Sequence, residues 1–465
     1  MKHPSSLAVG AFAAAALLSV PGLAHATDSD DLSAIKSSID ALRHDYDARI
    51  LELEARLKKA EAEARSAKAS AVAAQASASE AKSASAKAAA AAPAVATGAP
   101  ALTLTPRPPA SAGAFNPGIA AVLNGTYGAF SRDPGVARIP GFALGDEAGL
   151  PDRGFSLGES EVSLSANIDP YLKGALTLAF DGNNELSVEE AYIQTTKLGH
   201  GLSLKAGRFF SGIGYINERH AHDWSFSDAS LPYRAFLGNQ YGDDGVQLRW
   251  LAPSDQFLEF GAEWYRGDSF PAGGSANHGK GTYTAFLHTG DDINESSSWL
   301  FGVSYLRALA DDRDTGGDVF DGKDNLGILT AVYKWAPQGN PVERNLVLSG
   351  EFFLDRQQGD FNAIPVDDTR NGWYVQGVYQ FMPRWSVGLR YAQLAGVDTD
   401  AALFGTTLDP LDHTPRATSA LLEFDTSEFG RFRVQYTYDQ SDIQPNNELL
   451  FQYTVIYGPH GAHRY

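Results

Sequence analysis

The chain has 465 residues, with 37 Lys and Arg against 56 Asp and Glu, and a formal net charge of −19. It has no cysteine, which excludes disulfides and cysteine-ligated zinc sites. Its acidity argues against a basic surface for nucleic acid, so no nucleic-acid partner is predicted. With 25 Phe, 19 Tyr and 7 Trp, the chain carries too many aromatic residues to be disordered throughout. The open question is where this apolar surface is buried.

Residues 1–26 predict a secretory signal peptide. Lys2 supplies the positive start, residues 7–20 carry no charge, and Ala24-His25-Ala26 fits an A-x-A cleavage site. The alternative is a membrane anchor, but the uncharged run is shorter than the ~20 residues that a transmembrane helix needs. We therefore expect an exported protein.

Residues 27–66 predict a coiled coil. Their apolar residues recur at spacings of three and four, and charged residues fill the positions between them. A helix with a single apolar stripe cannot bury it alone, so we expect it to pair with copies of itself; packing back on the main domain is the alternative. Residues 67–112 are rich in Ala and Ser and then in Pro, which is typical of a helix that ends in an extended linker.

From residue 113 onward the apolar period changes to two. Phe432, Val434, Tyr436 and Tyr438 alternate with polar residues, as in a strand with one apolar face. Segments of this kind predict sixteen strands, and the long connections follow odd-numbered strands while the others are short. The segments are 118–130, 155–169, 171–183, 185–198, 201–214, 242–253, 257–269, 281–294, 296–310, 324–337, 344–360, 369–383, 384–396, 416–429, 430–443 and 447–460.

This pattern predicts an all-β fold: a 16-stranded antiparallel transmembrane β-barrel over residues 113–465, preceded by an N-terminal α-helical coiled coil. Apolar side chains would face lipid, polar side chains would face the lumen, and sixteen strands leave an aqueous channel. We therefore expect an outer-membrane porin in a Gram-negative envelope, with the coiled coil in the periplasm. Its partners would be outer-membrane lipid, lipopolysaccharide and small solutes.

Side chains of a strand point alternately outward and inward, and this alternation places charges of both signs on the lumen face. Charges of both signs argue against strong anion selectivity. The lumen-charge candidates are Lys173, Lys205, Arg249, Glu259, Glu263, Glu351, Arg390 and Arg433, with Glu159, Glu161 and Glu423 as further acids. Six Asp residues between 311 and 324 predict a solvated acidic loop, because they lack the spacing of an EF-hand.

Enzyme activity is not predicted. Gly154-Phe-Ser156-Leu-Gly158 matches the nucleophile motif G-x-S-x-G, but that motif needs a turn between a strand and a helix. Here it begins an alternating strand. No cofactor is predicted.

The chain resembles the trimeric porins of the phosphate-selective O/P type and related porins with a periplasmic coiled coil, among them dicarboxylate porins. Besides the coiled coil and linker, the resemblance rests on Glu190-Ala-Tyr192, residues 204–209, residues 242–247, Gln452-Tyr453 and residues 458–463. It implies a homotrimer and passive uptake of small anionic solutes such as phosphate or carboxylates.

The resemblance also implies that loop 215–241, after the fifth strand, folds inward and narrows the channel. Its constriction candidates are Glu218, Arg219, His220, His222, Asp223, Asp228 and Arg234. His220 and His222 are also candidate ligands for zinc, with a hydrogen-bonded loop as the alternative. Two other functions stay open: an adhesive or structural envelope protein anchored by the barrel, and a metal-linked uptake channel.

Overall fold

The structure is a computed structural model that describes Lys58 and residues 117–180, 186–274, 281–395 and 399–458. Apart from Lys58, the predicted signal peptide, coiled coil and linker lie outside the described residues. Among the described residues, no helix has the length and apolar character needed to cross a bilayer.

The described part of the chain is almost entirely strand, as the alternating pattern predicts. Its strands are β1 Gly118–Phe130, β2 Gly154–Leu157, β3 Ser160–Asn167, β4 Leu172–Phe180, β5 Leu186–Thr195, β6 Leu202–Phe210, β7 Gly242–Leu251, β8 Phe257–Tyr265, β9 Thr282–Asn294, β10 Ser297–Thr315, β11 Asp318–Trp335, β12 Asn345–Phe361, β13 Ile364–Met382, β14 Trp385–Leu394, β15 Arg416–Ser427, β16 Gly430–Gln440 and β17 Asn446–Tyr457. The described helices are α1 Leu231–Leu237 and the 3-10 turns Pro134–Val136, Asp146–Ala148, Ala221–Asp223, Pro337–Gly339 and Ala401–Leu403.

The sheet is antiparallel and closes on itself, because β1 also pairs with β17 and Tyr127 lies opposite Phe451. β2 and β3 both pair with β1 and together form one barrel strand. The count is therefore sixteen barrel strands, as predicted. Within the described residues, closure leaves no open strand edge, as a β-structure in hydrocarbon requires.

The two faces of the wall differ as the alternation requires. In β16, Phe432 and Tyr436 are exposed on the outer face, whereas Arg433 and Gln435 between them are buried inside the barrel. The outer face is therefore apolar and the inner face of this strand is polar. The connections also divide between two rims: those at 131–153, 211–241 and 395–415 lie on the long-loop rim, and the opposite, short-turn rim carries brief turns such as Met382 to Trp385.

The predicted loops at 311–323 and 361–368 are wrong. β10 continues to Thr315 and β11 begins at Asp318, so only Gly316 and Gly317 form the turn, both with positive φ. Likewise, residues 362–363 alone join β12 to β13. About ten residues of a tilted strand cross a hydrocarbon layer, and beyond it both faces of a strand meet water. Beyond the hydrocarbon layer the sequence therefore no longer alternates between apolar and polar residues, although the hydrogen bonding between the two strands continues.

Candidate functional site

Residues 211–241, called the inward loop, leave β6 and return to β7 by way of the barrel interior. The loop contacts the inner faces of strands far around the wall: Tyr233 donates to Glu351 of β12 at 2.9 Å, and Arg390 of β14 donates to Asp228 at 2.6 Å. The Asn217 side chain donates to the carbonyls of Ser211 and Tyr241, each at 2.8 Å, and so joins the two ends of the loop.

One side of the inward loop is attached by apolar packing, through helix α1. Pro232 lies in its first turn, and Gly238 ends it in the left-handed conformation at φ 62°, which glycine adopts without strain. The Phe236 ring stacks on Phe353 of β12 at 6.0 Å and meets Phe142 edge-on at 5.7 Å. All seven residues of α1 are buried, so part of the barrel interior is a hydrophobic core.

The alternation of side chains in the sequence did not reveal this core, because every inward position was assigned to a polar lumen. Several large apolar side chains point inward, where the loop covers them. They include Phe286, Leu306, Leu326, Ile328, Phe353 and Leu394.

Glu351, a predicted lumen charge, accepts hydrogen bonds from both loop and wall. Its donors are the Tyr233 hydroxyl at 2.9 Å, the Tyr215 amide at 2.8 Å, the Thr330 hydroxyl at 2.8 Å and the Tyr374 hydroxyl at 2.6 Å. Burial and the neighbouring Glu351 carboxylate raise the pKa of Tyr233 well above 10, so its hydroxyl keeps the proton that it donates. Glu351 is 3% exposed and therefore serves as an anchor for the loop.

The other side of the inward loop is attached through His220 and His222. His222 Nδ1 lies 2.8 Å from Glu161 Oε1 of β3, and His220 Nδ1 lies 3.0 Å from Glu161 Oε2. His220 also contacts Glu189 and Glu190 of β5, each at 3.1 Å. Burial alone lowers the pKa of His220, but hydrogen bonds to the three glutamates outweigh burial and raise the pKa well above 6.5.

A β-bulge brings the two glutamates of β5 to the same histidine. In the pairing with β4, Thr177 lies opposite Glu190 and Leu178 lies opposite Val188, so Glu189 is the extra residue. In a regular strand consecutive side chains point to opposite faces, but a bulge re-aims one of them. The alternation of side chains could not reveal that Glu189 and Glu190 meet the same histidine, because a bulge has no clear signature in a single sequence.

Charges of both signs meet where the inward loop faces the open part of the lumen. Glu218 is 38% exposed and pairs with Arg249 at 2.7 Å and with Lys205 at 3.4 Å. Arg249 also lies 3.4 Å from Glu259. Arg219, the next residue after Glu218, places its guanidinium carbon 4.2 Å from the centre of the Tyr215 ring. The structure thus brings together candidates from the loop and from the wall.

Other candidates on the inner wall hold the loop in place. Arg433 is fully buried, pairs with Glu423 at 3.0 Å and donates to the Trp224 carbonyl at 2.8 Å. Glu263 accepts from the Gly212 amide at 3.0 Å and from Gln247 at 2.6 Å.

The remaining candidates are Arg234, Asp223 and Lys173. Arg234 is buried and donates to the Ala148 carbonyl at 3.1 Å, and Asp223 lies 3.6 Å from His222. Lys173 is exposed at the second position of β4, next to the short-turn rim. That any of the candidates sets selectivity stays a prediction.

A cavity of about 340 Å³ opens between the inward loop and the short-turn rim. Tyr215 and Arg219 line the side of the cavity that faces the inward loop, and Lys334 of β11 lines its side wall. Asp255 and Asp292 add negative charge toward the rim. A small polar solute at this point therefore meets both basic and acidic side chains.

A protein of Aquifex aeolicus (strain VF5), described as "Uncharacterized protein", is 30% identical over 389 residues, which cover 76% of this chain and 81% of that protein. The chain belongs to the family of this Aquifex protein. No model of a protein family matches the sequence.

Among solved structures, the anion-selective porin from Comamonas acidovorans superposes with a TM-score of 0.50 at 10% identity, covering 74% of this chain and all of that one. The outer membrane channel DcaP of Acinetobacter baumannii gives a TM-score of 0.47 at 11% identity, covering 74% of this chain and 97% of that one. The Comamonas likeness identifies a porin-like barrel fold and, at this identity, nothing about the solute.

Proposed function

We propose that the protein is an outer-membrane channel through which small polar or charged solutes diffuse passively into the periplasm. The inward loop carries the proposal. It crosses the lumen and leaves Glu218 exposed beside Arg249, so charges of both signs border the free space. Fixed charges at the narrowest part of a water-filled bore act most strongly on a passing ion, because the surrounding wall focuses their field.

The solutes that fit this lumen best are small anions of the phosphate or carboxylate class, with weak discrimination. Arg219 and Lys334 border the cavity on the short-turn side, and Arg249 lies at the loop. The resemblance to O/P-type and dicarboxylate porins favours the same class. Glu218 and Glu259 each lie against Arg249 and offset its charge, and Asp255 and Asp292 border the same cavity as Arg219 and Lys334 and offset theirs. We therefore expect at most a weak preference for anions.

Planar-bilayer recording of the folded protein tests the channel directly. We expect stepwise conductance in KCl, and a reversal potential in a salt gradient that reports the anion preference. A correctly folded barrel that inserts and gives no steps contradicts the proposal. Phosphate and a dicarboxylate, added separately, then rank the solutes by how strongly each blocks the chloride current.

We further propose the organisation that the sequence predicts for the rest of the chain. Residues 1–26 would be removed as a signal peptide, residues 27–66 would join three copies as a periplasmic coiled coil, and residues 67–112 would link it to the barrel. Mass determination of the purified protein in detergent distinguishes a trimer from a monomer. We expect the trimer to dissociate more readily when residues 27–66 are deleted.

A structural envelope protein is the second candidate, and the packed core inside the barrel favours it. Phe236, Phe353 and Tyr233 fill lumen space that a wide pore would leave to water. Deletion of residues 27–112 separates the two functions. A channel keeps its conductance after the deletion, whereas a tether loses its effect on the envelope.

A further inference from the structure

We propose that Glu161, Glu189, His220 and His222 bind one divalent transition-metal ion, with Zn²⁺ as the best fit, and that this ion fastens the inward loop to the barrel wall. Zinc binding does not depend on conduction. The zinc site can therefore be disproved while the channel function is confirmed, and the channel function can be disproved while the zinc site is confirmed.

The donor atoms of the cluster converge on one point. The Nδ1 atoms of His220 and His222 both face the Glu161 carboxylate, at 3.0 and 2.8 Å, and one ligand atom from each of the three residues lies within 4.8 Å of the others. Glu189 Oε2 lies 3.1 Å from His220 Nδ1, beside these three ligands, and would complete the fourth coordination position. In a tetrahedral zinc site with bonds of about 2.0–2.1 Å, neighbouring donors are ~3.3 Å apart. Small shifts of these side chains would bring the donor atoms to the spacing of a tetrahedral zinc site.

The far side of each imidazole supports the same interpretation. His220 Nε2 lies 3.1 Å from Glu190, and His222 Nε2 lies 3.6 Å from Asp223 Oδ1. A histidine that binds metal through one nitrogen commonly gives its other N–H to a carboxylate, which fixes the ring and its tautomer. Both histidines therefore present Nδ1 to the centre and have an acid behind Nε2.

Burial and charge explain why a cation fits here. The side chains of Glu161 and His222 are 1% and 0% exposed, and those of Glu189 and Glu190 are 7% and 12% exposed. Buried carboxylates at this density are unfavourable unless cations compensate them. Two imidazoles among the donors favour zinc and related ions over Ca²⁺ and Mg²⁺, which prefer oxygen ligands.

The ligands come from three separate parts of the chain. Glu161 lies on β3, Glu189 is the bulged residue of β5, and the histidines lie in or next to the 3-10 turn of the inward loop. An ion at their centre would cross-link the loop to two wall strands. Bound metal would then hold this side of the constriction closed against the wall.

Equilibrium dialysis of the full mature chain, purified in detergent without a histidine tag, tests the site with Zn²⁺ alone. We expect about one ion per chain in excess Ca²⁺. Replacing a residue behind a metal-bound histidine weakens metal affinity about 10- to 100-fold, so Glu190→Gln should fall in that range. Loss of a ligand in His222→Ala should weaken binding further. His288→Ala is the matched control, since His288 is another lumen histidine, 3.4 Å from Glu259, and its loss should leave binding unchanged.

X-ray absorption of the zinc-loaded wild-type protein needs no variant, so a misfolded mutant cannot decide the result. Two imidazole nitrogens together with oxygen donors around the zinc would support the site. A first shell without imidazole, no binding by the wild type, or equal binding by His222→Ala would overturn it.

Discussion

The inward loop is attached to the barrel wall in two physically different ways. Toward β12, α1 inserts Phe236 and Tyr233 into an apolar core, and Glu351 collects the buried hydrogen bonds. Toward β3 and β5, His220 and His222 meet three carboxylates. The first attachment depends on excluded water and shape, whereas the second depends on charges that a metal ion can compensate. We therefore expect the two attachments to respond differently to substitution and to added metal.

Phe236→Ala should have the largest effect, because it removes the ring at the centre of the apolar attachment. Truncation of a buried Phe destabilises a protein by about 3–5 kcal/mol. Denaturant unfolding in detergent measures the loss. Phe404→Ala is the control, because Phe404 is 58% exposed in the 395–415 loop and should cost less than about 0.5 kcal/mol. Equal effects at the two positions would mean that α1 does not anchor the loop.

Glu351→Ala should destabilise the same attachment by about 2–4 kcal/mol, because it leaves buried tyrosine hydroxyls without an acceptor. Glu351→Gln keeps one acceptor oxygen and should lose roughly half as much. Hydrogen exchange of residues 211–241 should accelerate in the order wild type, Gln, Ala. Unchanged protection in Glu351→Ala would show that packing alone holds the loop.

Glu218→Gln should alter ion preference without releasing either attachment. Removing this exposed carboxylate leaves Arg249 and Lys205 less compensated, so the anion-to-cation permeability ratio should rise roughly two- to fivefold. The reversal potential in a KCl gradient measures it. Glu343→Gln removes the same charge from an exposed turn on the short-turn rim and should change the ratio little. A larger effect there would place the selective region at the rim.

Asp442→Asn should have the smallest effect, since it changes the seam between β1 and β17 and neither attachment. Arg132 donates to Asp442 at 2.9 Å. Burial opposes ionisation of Asp442, but that bond and the charges of Arg138 and Arg132 lower its pKa. We expect a loss of about 1 kcal/mol at pH 7.

The pH dependence of the Asp442 effect has a fixed sign. A lowered carboxyl pKa contributes stability above the unfolded pKa of about 3.9 and loses it as the pH falls through the folded pKa. Unfolding at a series of pH values should therefore show wild type and Asp442→Asn converging below about pH 4. Asp412→Asn, in an exposed loop, is the control. A difference that persists in acid would contradict the ion-pair explanation.

The sequence predicted the barrel closely, and the predicted first strand, 118–130, has the bounds of β1. Where a strand crosses the apolar layer, every second side chain must be apolar, so the pattern is visible residue by residue. The predicted strand ends at 310 and 324 were wrong because β10 and β11 continue past that layer. There Arg313 and Asp324 pair across the hairpin at 3.1 Å, and no lipid enforces alternation.

The candidate site was predicted in part. The sequence identified the histidines of the loop and Glu161 on the lumen face, but not that they meet, nor that Glu189 and Glu190 join them through a bulge. It assigned Glu351 to the lumen, yet not to the role of loop anchor.

The sequence by itself determined the number of strands and which side chains face outward, because contact with an apolar layer repeats locally along the chain. Only the tertiary structure decided which inward positions become packed core and which border open space. That choice depends on partners far apart in sequence: Tyr233 and Glu351 are 118 residues apart, and Trp224 and Arg433 are 209 apart. The acidity and aromatic content noted at the outset thus have three locations: the outer face, the charged lumen, and a core inside the barrel that periodicity alone could not reveal.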